Sequence, residues 1–129
     1  MARWFEVKNI NETEGEIRVY GEICKWAWEE FGETSAVTFT RELSKLENVK
    51  KINLRVNSPG GDVYEALAIY NELKRFSSEN EIEVVAYIDG LAASAASFLI
   101  LAAKKIIMGM GTLLMIHNPS VFVGRIGSD

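Results

Sequence analysis

Apolar and polar residues alternate near the start of the chain, as in half-buried strands. Residues 3–8 and 15–21 read as two such strands. In the second, Ile17, Val19 and Tyr20 lie between polar residues, and residues 11–15 supply a turn. Residues 26–34 keep no clear period and read as a loop or a short helix. Thr34 or Ser35 can cap a helix reaching about Leu46, with Val37, Phe39 and Leu43 along one side. Residues 51–57 form a strand bearing Ile52, Leu54 and Val56, which runs into Asn57-Ser58-Pro59-Gly60-Gly61, a stop made of turn residues. From Asp62 to about Phe76, Val63, Ala66, Leu67, Tyr70 and Leu73 recur at helical spacing, while Glu65, Glu72, Lys74 and Arg75 face water. After a polar loop, residues 82–88 read as a strand ended by Asp89-Gly90. Residues 91–103, almost wholly apolar, predict a helix buried on all sides. Residues 106–108 and 113–116 are short apolar strands, and residues 124–129 read as an exposed loop. From Lys51 onward the order strand, helix, strand, helix, strand implies parallel pairing with right-handed crossovers, hence an α/β fold.

Length narrows this to one domain, residues 1–129. With 48% hydrophobic and 25% charged residues, the composition is that of a globular protein able to bury a core. A net charge of −4 and no basic stripe argue against a nucleic-acid partner. The longest apolar stretch is too short for a bilayer span of about 20 residues, and no signal peptide is expected. The single cysteine, Cys24, allows no intrachain disulfide, which suits a reducing, cytoplasmic setting. One histidine and no Cys-x-x-Cys pair remove the common zinc sites, and no loop has the spacing of a carboxylate cation site, so no metal and no cofactor are expected.

Three places could carry chemistry, each where a strand ends. Gly60-Gly61 stands before a helix N-terminus, whose free N–H groups suit an oxyanion; a plain tight turn has the same sequence. Ser94 lies among small residues in Gly90-Leu91-Ala92-Ala93-Ser94-Ala95-Ala96-Ser97. Its hydroxyl is either a nucleophile or bonded to the carbonyl four residues back, and Ser97 is the rival nucleophile. His117, in Met115-Ile116-His117-Asn118-Pro119, is either structural or a general base with an ordinary pKa of about 6.5. Together they make the parts list of acyl transfer.

In order and spacing, Asn57-Ser58-Pro59-Gly60-Gly61, Ala68-Ile69-Tyr70, Gly90-x-Ala92-Ala93-Ser94 and Met115-Ile116-His117-Asn118-Pro119 resemble the Clp proteolytic subunit. Residues 88–97, the histidine segment and the opening Trp4-Phe5-Glu6-Val7-Lys8-Asn9 are most similar to its phage and prophage branch, the head-maturation (prohead) proteases. The resemblance implies a ClpP/crotonase-like α/β spiral of β-β-α units with a mostly parallel sheet. It implies a serine endopeptidase in which Ser94 attacks the scissile carbonyl. His117 takes and returns the proton, and the N–H groups of Gly61 and Ala95 hold the oxyanion. Gly60, Asp62, Val63, Asn118 and Pro119 would edge the groove for an extended peptide. The implied partners are peptide or unfolded protein, phage scaffold or capsid protein among them, and further copies of the chain in a ring. The implied location is the cytoplasm, that of the bacterial host if phage-encoded, with no membrane.

The family's triad aspartate lies well downstream of His117, on a segment this sequence lacks, as does the helix through which its rings stack. The domain therefore reads as truncated at its C-terminus. Asp62, Asp89 and Asp129 match no family position for the acid. Spoiling that acid costs about 10⁴ in kcat, so weak or absent turnover is expected, and a C-terminally extended chain should hydrolyse peptides faster. Other readings are a crotonase-type acyl-CoA enzyme, a catalytically silent assembly module of a capsid, and a cysteine peptidase built on Cys24.

Overall fold

The computed structural model describes residues 4–24, 27–28 and 33–116. A six-stranded sheet runs in the order β1 (Phe5–Asn9), β2 (Glu14–Tyr20), β5 (Lys51–Ser58), β6 (Glu83–Ala93), β7 (Lys105–Met108), with β8 (Leu113–Met115) also on β6. Strands β1 and β2 form an antiparallel hairpin, tightened by Asn11 Oδ1, which accepts from the N–H groups of Thr13 and Glu14. Every other pairing in this sheet is parallel. Parallel order thus begins at β2, earlier in the chain than the sequence pattern placed it. Residues 26–34, expected as a loop or short helix, contribute instead two short antiparallel strands, β3 (Ala27–Trp28) and β4 (Glu33–Thr34).

Period-two alternation sorts the sheet into two faces. Ile17 and Val19 of β2, Ile52, Leu54 and Val56 of β5, and Val84, Ala86 and Ile88 of β6 are buried and point to one side. Against them pack Phe39 and Leu43 of α1 (Ser35–Ser44), Ala66, Ile69 and Leu73 of α2 (Val63–Glu79), and Ala96 and Leu99 of α3 (Ala95–Leu99). Each fully buried Leu, Ile or Phe contributes about 1.5–3 kcal/mol by leaving water. Helix α2 starts at its cap Asp62, whose carboxylate accepts from Glu65 N–H at 3.0 Å. It runs past Phe76 to Glu79, absorbing part of the expected polar loop, and stops where Asn80 turns back to donate to Phe76 O.

The opposite face is polar. Arg55 donates to both carboxylate oxygens of Asp89 (3.0 and 2.8 Å), Tyr20 donates to the same group at 2.7 Å, and Arg55 lies over the Tyr87 ring. Asp89 therefore sits inside a strand rather than ending one.

The largest departure from the sequence reading concerns residues 91–103. Asp89-Gly90 does not end β6. The strand continues to Ala93, because Ala92 and Ala93 are taken up on one side by Ser58 and on the other by Leu114 and Met115. Cross-strand partners override the helical preference of an alanine run. Only a short helix, α3, and one 3₁₀ turn (Ile100–Ala102) follow, and Leu101 is 52% exposed, so this segment is not buried on all sides.

Candidate functional site

Two of the three places singled out in the sequence meet at the C-terminal ends of β5 and β6. Beyond β5 the chain turns through Pro59, Gly60 at φ 101° and Gly61 at φ 142°. Both angles belong to the region that favours glycine. Close approach excludes side chains as well. A Cβ on Gly60 would lie 2.6 Å from Ala93 O, 2.8 Å from Ser94 Cβ and 3.0 Å from Ala95 N. One on Gly61 would lie 2.0 Å from Ile23 O.

The turn is held from two directions. The fully buried Ser58 hydroxyl accepts from Gly60 N–H at 3.0 Å. Ile23 forms a parallel bridge to Gly61, donating to Gly60 O at 2.7 Å and accepting from Asp62 N–H at 2.8 Å. That bridge uses the groups on either side of Gly61. Among the described residues no backbone partner takes the Gly61 N–H, nor that of Ala95, the first residue of α3.

Ser94 occupies the joint between β6 and α3. Its backbone is at φ 55°, ψ −122°, a conformation L-residues rarely adopt. The Ser94 N–H donates to Met115 O at 3.1 Å. Its carbonyl accepts from the N–H of Ser97 at 3.0 Å and from the Ser97 hydroxyl at 2.6 Å. The hydroxyl of Ser94 makes no capping bond, and the residue is half-buried. Ser94 is not inside a helix, so the bond to a carbonyl four residues back does not arise. Ser97 is buried, and its hydroxyl, engaged on Ser94 O, supports the joint.

The third place is approached but lies outside the described residues. Strand β8 runs parallel to the end of β6, with Ala93 opposite Met115, and Ile116 follows, exposed. His117, Asn118, Pro119 and Asp129 fall beyond that point. Of the other expected groove residues, Asp62 caps α2 and Val63 opens it, directly after the Gly60-Gly61 turn.

Two further groups raised by the sequence, Asp89 and Cys24, have surroundings of their own. Burial pushes the Asp89 carboxyl up, but the hydrogen bonds from Arg55 and Tyr20 and the charges of Arg55 and Arg18 outweigh it, leaving its pKa below the ordinary value. That carboxylate is committed to the polar face. Partial burial, then the nearby carboxylates of Glu22, Glu65 and Asp62, push the Cys24 thiol up, which disfavours the thiolate a nucleophile needs. Among the described residues no three His, Cys, Asp or Glu side chains stand together as metal ligands would, and no helix is long and apolar enough to cross a membrane.

Sequence reasoning missed three supports: the Ser58 hydroxyl under Gly60, the Ile23 bridge to Gly61 and the Met115 carbonyl on Ser94. The Ser58 role carries a local signal, since a serine two residues before a turn glycine commonly accepts its N–H. The other two are long-range and leave no local trace.

Comparison with known proteins bears on the same elements. The Clp protease family profile matches residues 13–129. The ATP-dependent Clp protease proteolytic subunit of Bacteroides fragilis is 38% identical over 93 residues, covering 66% of this chain and 42% of that protein. Subunit 2 of the corresponding Prochlorococcus marinus protease is 41% identical over 79 residues, covering 60% and 37%. The chain thus spans less than half the length of these relatives. Among solved structures, a point mutant of the membrane-bound stomatin-specific protease 1510-N superposes with a TM-score of 0.63 at 21% identity, over 94% of this chain and 54% of that one. At that identity the likeness is one of fold.

Proposed function

The chain belongs to the Clp protease family, and from that premise we propose that it is the core of a serine endopeptidase working through an acyl-enzyme. The observation that carries this reading is the strained serine at a strand-to-helix joint, its hydroxyl uncapped, packed against a two-glycine turn. A residue at such angles costs about 1–3 kcal/mol, and strain of this kind persists where the surroundings impose it, commonly at a working site. A sharp strand-to-helix turn is also how hydrolases on other folds lift a nucleophilic serine out of a sheet.

In this reading Ser94 Oγ attacks the carbonyl carbon of the scissile peptide. The N–H groups of Gly61 and Ala95, which have no backbone partner among the described residues, take the oxyanion. His117 accepts the hydroxyl proton and passes it to the leaving amine; water then hydrolyses the acyl-enzyme by the reverse proton path. Support for His117 comes from its place in the sequence, two residues after Met115, whose carbonyl holds Ser94 N–H. Gly60, Asp62 and Val63 on one side and Asn118 and Pro119 on the other would edge the peptide. The chemistry calls for no cofactor.

The family assignment supports peptide or unfolded protein as substrate, a ring of like subunits as assembly and the cytoplasm as location. The finer reading, processing of phage scaffold or capsid protein, rests on the likeness of residues 4–9, 88–97 and 115–119 to head-maturation proteases. Its check is cleavage of a co-expressed scaffold or capsid protein.

A fluorophosphonate probe tests the chemistry. The expected product is one covalent adduct on Ser94, located by peptide mass spectrometry, lost in Ser94→Ala and slowed in His117→Ala. No adduct at Ser94, together with saturable binding of an acyl-CoA, would replace the peptidase by a crotonase-type enzyme. No adduct even on a C-terminally extended chain, and no such binding, would leave an assembly module.

A further inference from the structure

Strands β5 and β6 pair in step from Lys51 opposite Glu83 to Val56 opposite Ile88, and the next pair is Ser58 opposite Ala92. Between these pairs β5 spends one residue, Asn57, and β6 spends three, Asp89, Gly90 and Leu91. Such an irregularity takes donors out of the ladder. One of them, Leu91 N–H, is satisfied by a side chain: Asn57 Oδ1 accepts from it at 3.1 Å. The backbone carbonyl of Asn57 meanwhile accepts from Gly21 N–H at 3.0 Å, so the residue is tied to both neighbouring segments. Its amide lies against Gly90, where an added Cβ would sit 2.5 Å from Oδ1 and 2.9 Å from Cγ.

We propose that Asn57 is a positioning residue for Ser94, holding the β6 irregularity at Leu91 so that the strand re-enters the sheet in the one register that presents the serine at the turn. The proposal rests on the peptidase reading above. From Leu91 the path to the site is short and rigid. Ala92 and Ala93 pair with Leu114 and Met115, and Ser94 N–H is fixed on Met115 O. A slip of one residue at Leu91 would turn every following side chain to the other face of the sheet. Asn57 is exposed, so it is not at this position to fill the core. Its side chain reaches Leu91 and Gly90, not the serine, and acts on the serine only through β6.

Three single variants and the Asn57→Leu/Gly90→Ala double variant test this, with fluorophosphonate adduct formation at Ser94, the thermal midpoint and Leu91 amide exchange by NMR as readouts. Asn57→Leu keeps the size and removes the acceptor, Gly90→Ala pushes the amide away, and Asn57→Asp keeps an acceptor oxygen. Misplacement of a reacting group by about 1 Å can cost about 100-fold, so Asn57→Leu and Gly90→Ala should slow adduct formation by about 10- to 100-fold, with Asn57→Asp restoring most of the rate. The double variant should be no slower than the slower single, because both changes remove one bond. The midpoint of the pH–rate profile should stay in place while its plateau falls. Leu91 should exchange faster in Asn57→Leu and Gly90→Ala and stay protected in Asn57→Asp. Adduct formation at the wild-type rate in Asn57→Leu, or equal slowing by Asn57→Asp and Asn57→Leu, would overturn the proposal. A wild-type chain that forms no adduct at Ser94 speaks against the peptidase reading; the hold of Asn57 on Leu91 is then judged by Leu91 exchange alone, and unchanged exchange in Asn57→Leu overturns it.

Discussion

At φ 55° and ψ −122° Ser94 holds an L-residue where glycine would be at ease. Ser94→Gly removes the strain at some cost in unfolded-chain entropy, for a net gain of about 1 kcal/mol. In a domain of this size that raises the thermal midpoint by about 3–5 °C. Ser94→Ala keeps the Cβ and should leave the midpoint near wild type, so calorimetry on the pair separates strain from loss of the hydroxyl. Gly60 presents the opposite case. Its added Cβ would meet the backbone of Ala93 and Ala95, which cannot step aside as a flexible side chain can. Gly60→Ala should destabilise by about 3 kcal/mol or more, from steric conflict and an unsuitable φ together, measurable by urea unfolding. The serine and the glycine pair could be singled out from sequence because turn residues and a serine among small residues are local features. The long-range supports, Ile23 on the glycine turn and Met115 on Ser94, depend on contacts between separate segments.

Element by element, legibility followed the strength of the local period. Strand β5 and the start of α2 stand where alternation and turn residues put them, because Ile52, Leu54 and Val56 on one face and Asp62 at the cap are local signals. Residues 91–103 did not, because apolar runs carry no period to tell a buried strand from a buried helix. The corrected assignment has measurable consequences. Leu101→Ala, in the exposed turn, should change stability by no more than about 0.5 kcal/mol, where a helix buried on all sides would lose several. Leu73→Ala, on the fully buried face of α2, should cost about 2–5 kcal/mol by cavity formation.

Across the whole molecule, the polar face links β2, β5 and β6 through Tyr20, Arg55 and Asp89. The Asp89 carboxyl titrates below its ordinary value when folded. Its contribution is therefore fully present above the unfolded pKa of about 3.9 and is lost as pH falls through the lower folded value. Asp89→Asn should lower stability at neutral pH and flatten the acid limb of a stability–pH curve measured by chemical unfolding. A second feature of this scale is the β7–β8 side of the sheet, where Met110 is fully exposed and Leu113 and Met115 are more than half exposed. Exposed apolar residues beside short edge strands favour association. Met110→Lys with Leu113→Lys should reduce the concentration dependence of the sedimenting mass.

Hydrophobic period and turn chemistry are local properties, and they made the α/β class, the helix-facing core of β2 and β5 and the candidate positions Gly60, Gly61 and Ser94 legible in the sequence. That β6 runs on to Ala93, that Ser94 stands strained against Gly60 and that Asn57 reaches Leu91 came from the folded chain. Each depends on hydrogen bonds or contacts between segments far apart in the chain, and these exist only once the sheet has chosen its register.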